Sequence, residues 1–241
     1  LDPSPNERVV ARFLASGVTD DSEETFFEDI HHLPAGHWAE ISLTDPALNV
    51  RSHRYWELPT GAFAGGEGEA IARTRELFLD AIKLHARSDV PVGTCLSGGL
   101  DSSAIVCVAN YLRSAEAIPQ LTHSAFGYCP SDERHSERRY MEIVAQATGS
   151  ALNVVEVPDD QFLTRLPDIV RTQDEPFGSA SILAQWFVFQ RARQGGMKVM
   201  LDGQGADETL AGYHTYFSTV ALGHLRARRL RDYLSLRSRY A

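Results

Sequence analysis

The chain has 241 residues, enough for one domain or two small ones, and 43% of them are hydrophobic, enough for a sizeable core. Lysine and arginine total 23 against 32 aspartates and glutamates, and the net charge of −9 argues against a nucleic-acid binder. The three cysteines, Cys95, Cys107 and Cys129, are odd in number and lack metal spacing, no apolar run approaches the roughly 20 residues of a membrane span, and no signal peptide is visible.

In chain order, residues 9–15 read as a short helix and residues 36–43 as a strand with alternating side chains. Residues 60–68 hold four glycines and form the best linker, placed at 59–69. Residues 70–85 are an amphipathic helix, with Phe78, Ala81 and Ile82 at helical spacing. A buried strand over 90–96 follows, then a helix from about Ser102 to Leu112. Strand two covers 121–126, a helix covers 135–148 and stops at Gly149, and strand three covers 152–157. Residues 161–172 and 181–194 are helices, and 197–201 is strand four. The leucines between Leu222 and Leu236, with the arginines between Arg226 and Arg239, suggest one further helix with an apolar and a basic face. A solvated or domain-packing role suits it, because no aromatic stacking platform lies beside it. Strands alternating with helices predict an α/β fold with a parallel sheet.

Two strand ends carry the chemistry. The first reads Leu96-Ser-Gly-Gly-Leu-Asp-Ser-Ser103. Gly98 and Gly99 allow backbone N–H groups to approach an anion, and the helix that follows adds unpaired N–H groups and a positive dipole end. Ser97, Ser102 and Ser103 add hydroxyl donors. Asp101 makes sense beside phosphate only if Mg²⁺ lies between them. An isolated Ser-Gly-Gly would be an ordinary tight turn. Two adjacent glycines, three serines and an aspartate after a strand favour a phosphate cradle. The second end, Asp202-Gly-Gln-Gly-Ala-Asp207, repeats the plan after strand four, and Asp207 could complete the Mg²⁺ site with Asp101. Both loops sit at carboxyl ends of strands, where such sheets bind ligands.

The first loop resembles the PP-loop of ATP pyrophosphatases. Together, residues 88–103, Asp174-Glu-Pro176 and residues 202–213 resemble the synthetase domain of the asparagine synthetase family. The resemblance runs from about Ile71 to the end of the chain. It also reaches residues 25–37 and 54–58, which look like the end of the family's glutaminase domain and the link into its synthetase domain. It implies a doubly wound parallel sheet of the adenine nucleotide alpha hydrolase-like type over 70–241. Before it, at 1–58, it implies a remnant of an α+β N-terminal-nucleophile glutaminase domain.

For activity, the resemblance implies ATP-dependent amide formation through an acyl-adenylate, with Asp101, Gln204 and Asp207 in the chemistry. Leu96, Ser97, Gly98, Gly99, Asp101, Ser102, Ser103, Phe126, Asp202 and Gly203 would bind ATP, with Mg²⁺ on Asp101 and Asp207. The implied partners are a small-molecule or peptide carboxylate and ammonia from a glutaminase domain, without nucleic acid or membrane; a homodimer is compatible. Cys95 and Cys107 sit in apolar runs, so buried free thiols are expected, and these point to a reducing, cytoplasmic setting. The chain starts at Leu1 and none of its cysteines can serve as the glutaminase nucleophile. The expectation is a fragment of a longer protein, inactive alone, with the family's catalytic lysine beyond Ala241.

One departure bears on substrate. Asparagine synthetases commonly carry Ser-Gly-Glu-Gly where this chain has Asp202-Gly-Gln-Gly205. Gln204 hydrogen-bonds but does not take a proton as glutamate can. This favours relatives such as β-lactam synthetases and lasso peptide cyclases. Alternatives in other classes are a tRNA-modifying PP-loop enzyme and a non-catalytic nucleotide-binding module. The charged cluster from Asp132 to Arg139 reads as a solvated helix start. The nine histidines show no ligand spacing, and His31 and His32 would point apart.

Overall fold

A computed structural model describes residues 4–240 except 116, 117, 119, 131, 133 and 135. The chain forms two compact units. One holds the residues up to Thr74 with Asp159–Leu183, and the other holds Arg75–Pro158 with the chain from Ala184 onward.

In the first unit, α1 (Glu7–Ser16) starts where the Asn6 side chain accepts from the Val9 N–H at 3.3 Å, and stops at Gly17, whose N–H donates to Phe13 O. The expected strand is β1 (His37–Ile41), and it pairs antiparallel with β2 (Val50–Arg54). The sequence reading had no strand at β2, because all five of its residues are exposed and no apolar alternation marks them. α2 (Glu67–His85) begins three residues before the predicted start, inside the glycine-rich stretch, and from Arg75 onward it belongs to the second unit. The 161–172 helix is α5 (Asp159–Gln173), which runs through Pro167.

The second unit is an α/β layer structure. Its sheet has the order β5 (Ala151–Val155), β4 (Leu121–Tyr128), β3 (Val92–Cys95), β6 (Val199–Leu201), with every pair parallel. Every β3 residue is buried, as a strand covered on both faces requires. Successive side chains face opposite sides. Ala125 packs with Leu96, Val106 of α3 (Leu100–Ser114) and Met141 of α4 (Arg138–Thr148). The next residue, Phe126, packs with Cys95 and with Val188 and Ala192 of α6 (Ser181–Gln194). Helices therefore cover both faces, as expected. Each fully buried side chain of this kind contributes roughly 1.5–3 kcal/mol.

Other boundaries moved. β4 runs two residues past the predicted end, to Tyr128. α4 starts at Arg138 rather than 135, and His135 and Glu133 lie outside the described residues. The single C-terminal helix is two: α8 (His214–Arg226) and α9 (Leu230–Tyr240), following the short α7 (Ala206–Leu210). The break falls at Arg228, which takes a left-handed φ of 57°, while the Arg229 N–H donates back to His224 O at 2.8 Å. No glycine or proline announces that stop, so sequence pattern runs straight through it.

Cysteines 95 and 129 are buried, but Cys107 is exposed, against the expectation. The buried positions of α3 include Ile105, Val106, Ala109 and Leu112, and Cys107 projects from the opposite face of that helix. No helix among the described residues is long and apolar enough to cross a membrane.

Candidate active site

The sheet order creates one switch point. From β3 the chain moves outward to β4 and β5, then returns to add β6 on the other side of β3. The strand order reverses between β3 and β6, and open sheets of this kind bind ligands in the crevice at the carboxyl ends of such strands. Here the two loops are Leu96–Gly99 and Asp202–Gly205, both anticipated.

The first loop is braced by its own hydroxyls. The Ser97 N–H donates to Ser102 Oγ at 3.1 Å, the Gly99 N–H donates to Ser97 Oγ at 3.2 Å, and Ser102 Oγ donates to Gly99 O at 3.3 Å. Ser102 is only 5% exposed, so it staples the loop, while Ser97 is exposed and Ser103 lies half-buried in the first turn of α3. Gly98 has φ 93°, and a Cβ there would lie 2.8 Å from Glu137 O. Only glycine suits that backbone with a neighbour so close. Gly99 is the N-cap of α3 and supplies no side-chain bond, which leaves first-turn N–H groups of that helix uncapped by side chains.

The two loops touch. A Cβ on Gly203 would lie 3.3 Å from the Ser102 nitrogen and 3.4 Å from Asp101 Cβ. Among the described residues Asp101 is half-buried and forms no hydrogen bond or ion pair. Asp207 is half-buried in the first turn of α7, and its carboxylate is turned against Gly212.

Beside this crossing lies a crevice of about 370 Å³, in the size range of small-molecule sites. Leu96, Phe126, Val188 and Gly127 supply its apolar wall, and Ser97, Glu137, Asp202 and Gln204 its polar edge. Phe126 is 1% exposed and packs in the core, so it forms that wall as a fixed part of the core. Leu96 is fully buried and its N–H donates to Phe126 O at 2.8 Å, which locks the loop to β4.

Sequence reading passed over three contributors. Gln185 of α6 donates through Nε2 to Asp202 Oδ2 at 3.0 Å. Gly127 packs so tightly on the first loop that a Cβ would overlap the Leu96 carbonyl oxygen. Cys95 sits at the crevice floor with its thiol beside Asp202. Burial pushes the Cys95 thiol far up, and the neighbouring Asp202 carboxylate adds to it by charge and by accepting the thiol hydrogen. Cys95 is therefore a protonated thiol and no nucleophile. Iodoacetamide at pH 8 should label Cys107 in the folded protein and leave Cys95 and Cys129 unreacted, as peptide mass mapping will show. The unfolded chain can ionise this thiol above about pH 8.5 while the folded one cannot, so Cys95 withdraws stability as pH rises beyond that value.

Folding also gathers a cluster in the first unit that spacing did not reveal. Ligand atoms of Asp20, His32 and Glu175 lie within 4.8 Å of one another, and His32 Nε2 is 3.3 Å from Asp20 Oδ1.

A family model described as Asparagine synthase matches residues 73–240, which contain both loops and the crevice. Asparagine synthetase (glutamine-hydrolyzing) 1 of Bacillus subtilis is 32% identical over 161 residues, 65% of this chain and 23% of that protein. Putative asparagine synthetase (glutamine-hydrolyzing) 2 of Methanocaldococcus jannaschii is 31% identical over 177 residues, 73% of this chain and 33% of that protein. Amidase chyE of Penicillium rubens is 25% identical over 204 residues, 80% of this chain and 30% of that protein. The chain thus spans between about a quarter and a third of the length of these relatives. With the model match covering most of the chain and both loops meeting at the switch point, the chain belongs to the asparagine synthase family.

Proposed function

We propose that the crevice beyond β3 and β6 binds ATP and that the protein carrying this chain uses it to activate a carboxylate for amide formation. The observation that carries this reading is the contact of Gly203 with Asp101 and Ser102, which brings two anion-type loops together at the switch point. In this reading the N–H groups of the first loop and of the first turn of α3 receive the pyrophosphate end of ATP. The nucleoside end lies toward Leu96, Phe126 and the Asp202-Gly203 backbone.

A substrate carboxylate oxygen attacks the α-phosphorus, and the bond from the α-phosphorus to the bridging oxygen breaks. Pyrophosphate leaves with that electron pair. An amine then attacks the acyl carbon, loses a proton, and expels AMP. The chain's part is electrostatic: fixed N–H dipoles and the Ser97 hydroxyl face the charge that builds on the departing group.

Asp101 fits a Mg²⁺ ligand, since it is half-buried, unpaired among the described residues and set at the loop crossing. Asp207 would join by turning its carboxylate away from Gly212. When bound, Mg²⁺ neutralises charge on the triphosphate. Residues up to 58 are proposed as the end of a glutaminase domain that would supply ammonia.

The amine or acyl donor is proposed to differ from the ammonia and aspartate pair. Gln204 stands exposed at the crevice edge and does not accept a proton there. The similarity to relatives named amidases supports the same view. The test supplies the whole protein with ATP, Mg²⁺, aspartate and either glutamine or ammonia. Little asparagine is expected, with pyrophosphate release appearing only with another carboxylate. General bases contribute about 10²- to 10⁴-fold, so Gln204→Glu should raise asparagine formation at least about tenfold if that base is what is lacking. Efficient asparagine formation that Gln204→Glu leaves unchanged would sink this substrate assignment.

A further inference from the structure

Asp202 is a half-buried carboxylate at the edge of a crevice read as an ATP site, where a second negative charge repels phosphate. Its two oxygens are nevertheless held in one orientation. Oδ1 accepts from the Gly203 N–H at 2.7 Å, and Oδ2 accepts from Gln185 Nε2 at 3.0 Å. The Cys95 thiol lies beside it at the crevice floor. The donors come from two places: α6 and the loop itself. No lysine or arginine pairs with Asp202 among the described residues, so its charge is held by neutral donors alone.

We infer that Gln185 is a positioning residue: by clamping Asp202 it sets the second loop on the first and so shapes the nucleotide site. The chain of contacts is short. Gln185 fixes Oδ2, the other oxygen fixes the Gly203 N–H, and Gly203 rests on Asp101 and Ser102. Gln185 is 17 residues before Asp202 and is held on a helix whose Val188 and Ala192 are anchored under Phe126. A helix anchored in the core is a firm base, whereas the loop after a three-residue strand has little rigidity of its own. Without the amide, a half-buried carboxylate oxygen loses its donor, and the loop shifts to find another or to admit water.

This inference rests on the nucleotide reading for its kinetic consequence, but the clamp itself does not. The test therefore uses two readouts on the whole protein: amide hydrogen exchange across residues 202–206, and the ATP dependence of pyrophosphate release. Gln185→Ala should speed exchange in that segment and raise the KM for ATP about tenfold, with a smaller change in kcat. Gln185→Glu sets two carboxylates at hydrogen-bond distance and should impair at neutral pH. It should then recover in part as the pH falls and the two carboxylates share one proton. Cys95, Glu137 and Asp101 are the other titratable groups around Asp202, and the wild type and Gln185→Ala carry them too, so they control for their titration.

The decisive variant is the double exchange Gln185→Glu with Asp202→Asn. It reverses the polarity of one bond, keeps the Gly203 N–H acceptor, and retains a single charge. Recovery of exchange protection and of KM toward wild type supports the clamp. Unchanged exchange in Gln185→Ala, or a double variant no better than Gln185→Glu, overturns it. A wild type that consumes no ATP overturns the nucleotide reading instead, and exchange alone then decides the role of Gln185.

Discussion

Asp101→Asn in the whole protein should lower ATP-dependent pyrophosphate release by about 10²- to 10³-fold, the loss seen when one fixed electrostatic group is removed from a transition state. The reasoning starts from position. Asp101 is the second residue of α3, at the end that favours negative charge, yet that end is also where the phosphate loop places its N–H groups. A carboxylate there interferes with phosphate unless a cation lies between them. Its freedom from protein partners among the described residues leaves it able to serve as a ligand. Asn keeps the shape and removes the charge. The fold should hold, because a first-turn acidic residue contributes only about 0.3–1 kcal/mol to its helix. Pyrophosphate release and the thermal midpoint, measured on one preparation, separate the two effects. A variant that turns over at the wild-type rate would remove Asp101 from the metal assignment.

Gly127→Ala should destabilise the second unit by about 1–3 kcal/mol or more and weaken ATP binding in the same step. Gly127 lies in β4, next to the first loop, and is buried. Its Cα faces the Leu96 carbonyl so closely that a single methyl group overlaps that oxygen and comes within 3.0 Å of Met141 Sδ. Met141 could yield, being flexible. The Leu96 carbonyl cannot, because it is backbone between a fully buried side chain and the Ser97 turn. Relief must come from parting β4 from the loop, which strains the bond from the Leu96 N–H to Phe126 O. Urea unfolding with and without ATP·Mg²⁺ measures both consequences. An alanine variant with wild-type stability would show that the loop and β4 are less tightly joined than this contact requires.

Much of the second unit is legible in the sequence. Its strands and helices follow from hydrophobic period and from punctuation by glycine, and α6 matches its sequence-read bounds of Ser181–Gln194. The two loops were legible for a different reason. A strand that ends in Ser-Gly-Gly, or in Asp-Gly-Gln-Gly, advertises backbone freedom and polar donors within a few residues, and such local chemistry is written in local sequence.

Other features were decided only by the tertiary structure. β2 is a strand because β1 pairs with it, not because of its own side chains, all of which are exposed. The break between α8 and α9 rests on a left-handed Arg228 that no residue type announces. His32 meets Asp20, a near neighbour in the chain, and also Glu175 across more than 140 positions, beyond any spacing rule. The clamp on Asp202 is the clearest case. Sequence shows an aspartate after a strand and a glutamine on a helix. That the two meet depends on the crossover that returns the chain past β3 to β6 and on which face α6 covers. Period and composition determine which residues go inside and where the chain turns. Which side chains then touch depends on strand order and helix placement, and those are settled by the packing of the whole sheet at once.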